Sequence, residues 1–372
     1  MEESNCFHEK EWMKCQNMMM KCRIPILCCK LMLEMRTDRV KERCKLSHRK
    51  MQITILDDYQ DAVRQLDCFK ILDGHDVQIL KQSYADPALL AEKLKNTEAL
   101  VLIRERTKIS ADLLSRLPNL QLISQTGKIS NHLDLATCSA YKVAVAESMG
   151  SPVAPAELTW LLIMNGLRKL PQAIAAMKAG QWQSNIGQSV AGKTIGIWSY
   201  GKIGCRVAQY AKAFGAQVIV WGSENSREEA VKDGFLAASS KSDFFHFADV
   251  VTLHLRLVPE TRAIVKLEDL RSMKSSALFV NTSRAELVEQ GALLDALTSG
   301  TPGAAAVDVY ESEPITDANY PLLQLPNVIC TPHLGYVEEN GYEQLFKLAF
   351  ENIVAFAQGT PQHIANPEVL KD

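Results

Sequence analysis

Nothing in the 372 residues reads as a membrane span: no run of about twenty apolar residues is free of charge. The most apolar early stretch, IPILCCKLML, is interrupted by Lys30 and is followed by no small-residue cleavage site, which argues against a secretory signal. Charge of either sign is also lacking in excess. The 41 Lys+Arg and 43 Asp+Glu leave a net of −2, too weak a field to attract nucleic acid or an anionic membrane, so neither is expected as a partner. Paired C-x-x-C groups are absent among the ten cysteines, so no metal site is expected. A complete G-x-G-x-x-G is absent as well, and that absence bears on everything below.

Six of the cysteines (Cys6, Cys15, Cys22, Cys28, Cys29 and Cys44) fall in the first fifty residues, while Cys68, Cys138, Cys205 and Cys330 lie inside apparent core elements. That placement is the ordinary behaviour of reduced cysteine and points to a cytoplasmic protein. The first fifty residues hold 12 Lys+Arg, 7 Asp+Glu and seven of the twelve methionines, a net of +5, so the remaining 322 carry −7. Residues 1–50 read as a poorly structured N-terminal extension; a targeting or metal-handling role is the alternative.

From Met51 the chain alternates β-rich runs with helical stretches. QITIL, DVQIL, ALVLI, LQLIS and KVAVA form a first series; TIGIW, QVIVW, DVVTLHL, ALFVN, AAAVDV and NVICT form a second that starts at Thr194. Such alternation predicts parallel sheets covered on both faces. APAELTWLLIMNGLRKLPQAIAAMKAGQW, between the two series, reads as a long interdomain helix closed by Pro171 and Gly180. The amphipathic tail EENGYEQLFKLAFENIVAFAQG reads as a helix returning to the first domain. The expected fold is α/β, with two Rossmann-like parallel-sheet domains. A nucleotide-binding domain (152–336) is inserted into a flavodoxin-like substrate domain (51–151 and 337–372).

Open parallel sheets bind ligands beyond the carboxyl ends of their strands, so post-strand residues carry the functional argument. After TIGIW comes SYGKIG: Gly201 lets the backbone approach a pyrophosphate, Gly204 lets the next helix pack against the strand, and the helix start offers amides to phosphate. Ser199 stands where the tight-turn glycine belongs, a place serine can hold if its φ stays negative. Ser199, Tyr200, Gly201, Lys202, Ile203 and Gly204 are the expected cofactor turn. The next strand ends at Trp221 and Gly222, without the acid that commonly holds the adenosine ribose. Ser223, Glu224 and Arg227 follow, so NADP becomes an option beside NAD, unless Glu224 binds the ribose from slightly further along. Arg284, Asp308 with Glu313, and His333 follow the last three strands. Together they offer a carboxylate binder, an acid that can keep a histidine charged, and a proton donor, the set that reduction of a 2-oxo acid requires.

The stretch from Thr194 to His333 resembles the D-isomer-specific 2-hydroxyacid dehydrogenases, the group of phosphoglycerate dehydrogenase and glyoxylate/hydroxypyruvate reductase. The likeness rests on NTSR, LVEQGAL, VDVYESEP and TPHLG, with 29 residues from Arg284 to Glu313 and 20 from Glu313 to His333. It implies that Arg284 binds the substrate carboxylate and carbonyl, that His333 is the acid/base, and that Glu313 pairs with the imidazole. It also implies that Asp308 meets the nicotinamide carboxamide and that Thr282 and Ser283 line the nicotinamide side. In the first domain it places the substrate carboxylate on the loop QTGKISNHLD, at Lys128 and Ile129, with Gly127 retained. A solvated loop lysine is the plain alternative for Lys128, and Arg104 is a candidate should the substrate carry a phosphate. The resemblance implies NAD or NADP as cofactor, a small 2-oxo/2-hydroxy acid as substrate and a homodimer. A formate dehydrogenase-like enzyme ranks low, because that branch has glutamine where this chain has Glu313. A nucleotide-sensing co-repressor-like binding protein and a relative disabled by Ser199 are the other readings. Ala285, in place of the glycine usual after the arginine, and Arg256, in place of a proline, mark a divergent branch.

Overall fold

The computed structural model describes residues 49–371. Residues 1–48 and 372, and with them the expected N-terminal extension, lie outside the described residues.

Five strands build the first sheet: β1 (Gln52–Ile55), β2 (Asp76–Ile79), β3 (Ala99–Leu102), β4 (Leu122–Gln125) and β5 (Ala144–Ala146). All pairings are parallel, in the order β2-β1-β3-β4-β5, which is the flavodoxin-like order. Parallel strands are joined by helices that cover both faces, so their sequences are apolar at nearly every position. Ala99, Val101 and Ile103 point into one layer with Met51, Ile53 and Ile55, while Leu100 and Leu102 point into the other with Leu90, Leu94 and Leu113.

Seven strands build the second sheet: β6 (Thr194–Trp198), β7 (Gln217–Trp221), β8 (Leu236–Ala237), β9 (Val250–Leu253), β10 (Leu278–Asn281), β11 (Ala304–Val307) and β12 (Val328–Cys330). The order β12-β11-β10-β9-β6-β7-β8 is the doubly wound order of dinucleotide-binding sheets. Ile195, Ile197, Leu278 and Val280 face one core layer; Trp198, Val251, Leu253 and Phe279 face the other. The expected α/β architecture of two parallel-sheet domains is thus the observed one. The two-residue β8 is an addition to the strands expected from sequence.

The expected interdomain helix is two helices, Val153–Arg168 and Leu170–Lys178. The break falls at Lys169, whose φ of 49° is left-handed, and Pro171 sits in the first turn of the second helix, where its missing N–H costs nothing. The tail helix Glu339–Ala357 packs on the first sheet through Tyr342, Phe346, Phe350 and Ile353. No helix of the described residues is long and apolar enough to cross a membrane.

Each sheet has one place where chain connections leave in opposite directions, between β1 and β3 in the first and between β6 and β9 in the second. The loop Arg104–Glu105–Arg106 follows β3 and the turn at Ser199 follows β6, so both stand at these switch points.

Candidate active site

The nucleotide turn begins where β6 ends. Ser199 donates its amide to the Trp221 carbonyl (2.8 Å) and has φ +83°, so the expectation of a serine with negative φ is overturned. This turn needs the conformation that glycine adopts freely, and a side chain is held there against its preference. Gly204 opens the helix Gly204–Ala213, and a Cβ on it would stand 2.2 Å from the Ser199 carbonyl oxygen, so only glycine allows the helix to close onto the strand. Around Gly201 nothing lies within 4 Å of where a Cβ would project. Ile203, at the helix N-cap, offers no side-chain acceptor, so no side chain caps the first-turn amides, which suit a phosphate. These features fit a dinucleotide. Lys202 lies between Gly201 and Ile203, its carbonyl facing the Cys205 thiol at 3.5 Å. Tyr200 faces the other way: its ring packs on Phe235, its hydroxyl donates to Asp233 (2.7 Å), and its amide donates to Ser226 Oγ (3.3 Å).

Beyond β7, Gly222 has φ +148°, and a Cβ there would lie 3.5 Å from the Ser199 Cα. The two post-strand turns are therefore packed together. Ser223 caps the helix Glu224–Lys232, accepting from the Ser226 amide at 3.3 Å. The Arg227 guanidinium lies over the Trp221 ring at 5.1 Å, and its Nε has no partner among the described residues.

His333 and Glu313 come together at 2.6 Å, the imidazole Nδ1–H donating to the carboxylate Oε2. The other oxygen of Glu313 accepts the Tyr310 amide at 3.0 Å, so the carboxylate is anchored before it meets the ring. With Nδ1 engaged in this way, Nε2 is the nitrogen left for a substrate. The Tyr336 ring meets the imidazole edge-on at 5.4 Å. Asp308 is fully buried, and both its oxygens hold the His333 loop. Oδ1 accepts from Thr331 Oγ1 (2.6 Å) and the Leu334 amide (2.7 Å), and Oδ2 accepts from the Gly335 amide (2.9 Å). Burial raises its carboxyl above the usual range, although these donors oppose the shift. Here it acts as the clamp of the histidine loop. Thr282 donates to Thr159 Oγ1 (2.7 Å), whose own proton goes to the Pro155 carbonyl (2.7 Å); Ser283 donates to the Leu253 carbonyl (2.7 Å).

Arg284 follows β10 and reaches across to the first domain, where its Nη2 donates to Glu105 Oε1 at 2.6 Å. Its Nη1 is held by the Ser283 carbonyl at 2.6 Å. Glu105 also faces the Arg104 guanidinium at 3.5 Å. Burial pushes the Glu105 carboxyl up, but the Arg104 and Arg284 charges outweigh it and hold the group below the usual carboxylate range. Arg106 completes the loop: Nη1 donates to the Asp57 carbonyl (2.5 Å), Nε to the Tyr336 hydroxyl (2.9 Å) and Nη2 to the Tyr342 hydroxyl (3.1 Å). The expected carboxylate loop after β4 is more occupied than its sequence suggested. Lys128 is ion-paired with Glu147, whose other oxygen accepts the Ile129 amide (3.3 Å), and the Gly127 amide donates to Ser148 Oγ (2.6 Å). Glu105, Arg106, His132 and Tyr336 were not singled out from sequence. The available signal was the position of RERT directly after β3, which strand order turns into a switch point.

The sequence profile of the D-isomer specific 2-hydroxyacid dehydrogenase NAD binding domain matches residues 160–335. A glyoxylate reductase of Aeropyrum pernix is 34% identical over 310 residues, covering 80% of this chain and 91% of its own. Several D-3-phosphoglycerate dehydrogenases also match, and the chain spans about half their length. Among solved structures, a phosphoglycerate oxidoreductase from Vibrio cholerae is 55% identical with a TM-score of 0.81, covering 83% of this chain and 99% of its own. A D-3-phosphoglycerate dehydrogenase oxidoreductase from Ralstonia solanacearum is 49% identical with a TM-score of 0.85, covering 87% and 99%. The chain belongs to the D-isomer-specific 2-hydroxyacid dehydrogenase family, the NAD(P)-dependent oxidoreductases that act on 2-hydroxy acids.

Proposed function

We propose that this protein interconverts a small D-2-hydroxy acid and its 2-oxo acid by hydride transfer, with NAD or NADP held at the turn from Ser199 to Gly204. The observation that carries the reading is the His333–Glu313 pair, 2.6 Å apart, on the same sheet edge as Arg284. When bound, the nicotinamide supplies or accepts the hydride. Arg284 presents a planar guanidinium to the substrate carboxylate and carbonyl oxygen, fixing the acid's orientation and polarising the carbonyl. His333 gives its Nε2 proton to that oxygen in the reductive direction and takes it back in the oxidative one. Glu313 keeps the imidazole oriented by accepting from its Nδ1. Asp308 holds the loop that carries the histidine.

The post-strand loops of the two sheets touch through Arg284 and Glu105, and closure of the cleft between them over both ligands would exclude water from the reacting atoms. A homodimer is part of this reading. Leu161, Ile174, Met177, Trp182, Ile186 and Phe214 leave large apolar side chains exposed on and around the two helices that follow β5, a surface suited to a second copy of the chain. The four described cysteines are all free thiols, which supports a cytoplasmic setting.

The test follows NADH and NADPH absorbance with glyoxylate, pyruvate, hydroxypyruvate and longer 2-oxo acids, using the wild type and His333→Ala. Turnover by the wild type and its loss in the variant are expected. Cofactor binding without turnover of any acid points instead to a sensor, and undiminished turnover without His333 overturns the mechanism.

A further inference from the structure

Arg284, the carboxylate binder of this reading, belongs to the second domain, yet one of its anchors comes from the first. Its Nη1 donates to the Ser283 carbonyl at 2.6 Å, and its Nη2 donates to Glu105 Oε1 at 2.6 Å, across 179 positions of sequence. A guanidinium is planar, so a fixed partner on each terminal nitrogen sets its plane as well as its place. The Nε–H and the second hydrogen of each terminal nitrogen have no partner among the described residues and are left for a substrate. The Arg284 side chain is 28% exposed and that of Glu105 17%, so the pair is reached from solvent.

Glu105 is itself held from both sides. Arg104 has a left-handed φ of +55°; its amide donates to Thr126 Oγ1 (2.9 Å), its carbonyl accepts from Gln125 Nε2 (2.9 Å), and its guanidinium faces Glu105 Oε1 at 3.5 Å. Gly127 makes room for that guanidinium, because a Cβ there would stand 1.9 Å from Arg104 Nη1. On the other side Arg106 donates to the Asp57 carbonyl (2.5 Å) and Thr107 to the Asp57 carboxylate. A side chain kept at positive φ persists only where its surroundings over-determine it, and here they aim the next residue at the second domain.

Stability does not account for this carboxylate, since taking an ion pair out of water costs much of what the pairing returns. Orientation does. Without Glu105 the Arg284 guanidinium would keep only the Ser283 carbonyl, a single bond about which it can turn, and it would face the Arg104 guanidinium uncompensated. A carboxylate on a substrate-binding arginine can also compete with the substrate, and the geometry argues against that role. A competitor would take two parallel N–H groups, as a substrate carboxylate does. Glu105 takes one: its Oε2 has no partner among the described residues.

We propose that Glu105 is the positioning residue of Arg284. Through this carboxylate the first domain fixes the plane in which the arginine meets the substrate's carboxylate and carbonyl, so the arginine is aligned only when the two domains are together. The proposal rests on the reading that the protein acts on 2-oxo acids.

The experiment measures kcat and KM of the full-length protein for glyoxylate, pyruvate and hydroxypyruvate with NADH and NADPH. It compares the wild type, Glu105→Gln, Arg284→Lys and the double variant, with NADPH affinity read by fluorescence titration. Glu105→Gln keeps the shape and loses the charge. It is expected to lower kcat about 10- to 100-fold, with a smaller rise in KM and unchanged cofactor affinity, because a misaligned group costs the transition state most. The factor should be the same for every acid, since Arg284 meets the groups they share. In the Arg284→Lys background, where the planar fork is already gone, the same substitution should change kcat/KM by less than about twofold. An undiminished loss in that background overturns the proposal, and so does a loss confined to one acid, which would make Glu105 a contact of the substrate's side chain. A gain in kcat/KM overturns it too, by making Glu105 a competitor. Glu105→Ser should follow Glu105→Gln and decides if the latter does not fold; unfolding of both gives Glu105 a structural role and overturns the proposal. Wild-type turnover with unimpaired variants defeats the positioning role alone, whereas no wild-type turnover of any acid defeats the 2-oxo acid reading with it.

Discussion

The Nδ1 of His333 lies 2.6 Å from Oε2 of Glu313, and Glu313 is anchored in turn by the Tyr310 amide at 3.0 Å. The imidazole is held from behind, with its second nitrogen directed away from the carboxylate. General acid–base groups of this kind contribute typically about 10²–10⁴ in rate, so His333→Ala should lower kcat by that order while leaving NADPH affinity, read by fluorescence titration, nearly unchanged. Glu313→Gln keeps a hydrogen-bond acceptor but loses the charge, and should cost about 10- to 100-fold in kcat. A variant retaining full kcat in either case would remove that residue from the chemistry.

Ser199 carries the second prediction. Its φ of +83° places a side chain in backbone space that costs an L-residue roughly 1–2 kcal/mol, part of which glycine returns through its greater freedom in the unfolded chain. Ser199→Gly should therefore stabilise the protein by about 0.5–1 kcal/mol in urea unfolding. It should also tighten dinucleotide binding if, as proposed, the turn that the side chain opens receives the pyrophosphate. Unchanged affinity and stability together would mean that the turn tolerates serine at no cost.

Much of this arrangement is legible in the sequence, for identifiable reasons. Parallel strands buried on both faces are continuous apolar runs, and eleven of them could be read; the missed strand, Leu236–Ala237, has two residues, too few for any pattern. The break at Lys169 was hidden because Pro171 signals the end of one helix as readily as the first turn of the next. Arg284, Glu313 and His333 stood out because each follows a recognisable strand. Glu105 did not: a glutamate between two arginines resembles a solvated loop. Only the adjacency of β1 and β3, and the approach of a residue 179 positions away, make it an interior anion.

Arg227 decides the third prediction, which concerns the cofactor. It follows β7, where an acid would hold a ribose and repel a 2′-phosphate, and its guanidinium is braced over the Trp221 ring at 5.1 Å with Nε unpartnered among the described residues. An arginine placed in this way suits a phosphate. The wild type is expected to have a lower KM for NADPH than for NADH. Arg227→Ala should raise the NADPH value by about tenfold, a loss of roughly 1.4 kcal/mol, with a smaller effect on NADH. Equal effects on the two cofactors would place Arg227 outside the 2′-phosphate site.

The last prediction follows from the burial of His132, which is 7% exposed and whose pKa falls from 6.5 to about 4. Burial is the main cause, the Arg104 and Arg284 charges add to it, and Glu105 opposes it. Below about pH 6.5 the unfolded chain binds a proton here that the folded protein refuses, so stability falls as the pH drops from about 6.5 towards 4, by roughly 1.4 kcal/mol per unit and roughly 3 kcal/mol in all. Glu105 acts in a lower window. Its carboxyl is held below the usual range, so its contribution is present above the ordinary carboxylate value and is lost only as the pH falls through the depressed one. The two effects therefore separate. Urea unfolding of the wild type and His132→Gln between pH 8 and pH 4.5 should show the steeper loss in the wild type below about pH 6.5, while the two run with equal slope above about pH 7. Parallel curves across the whole range would mean that His132 takes up its proton in the folded protein as readily as in the unfolded chain.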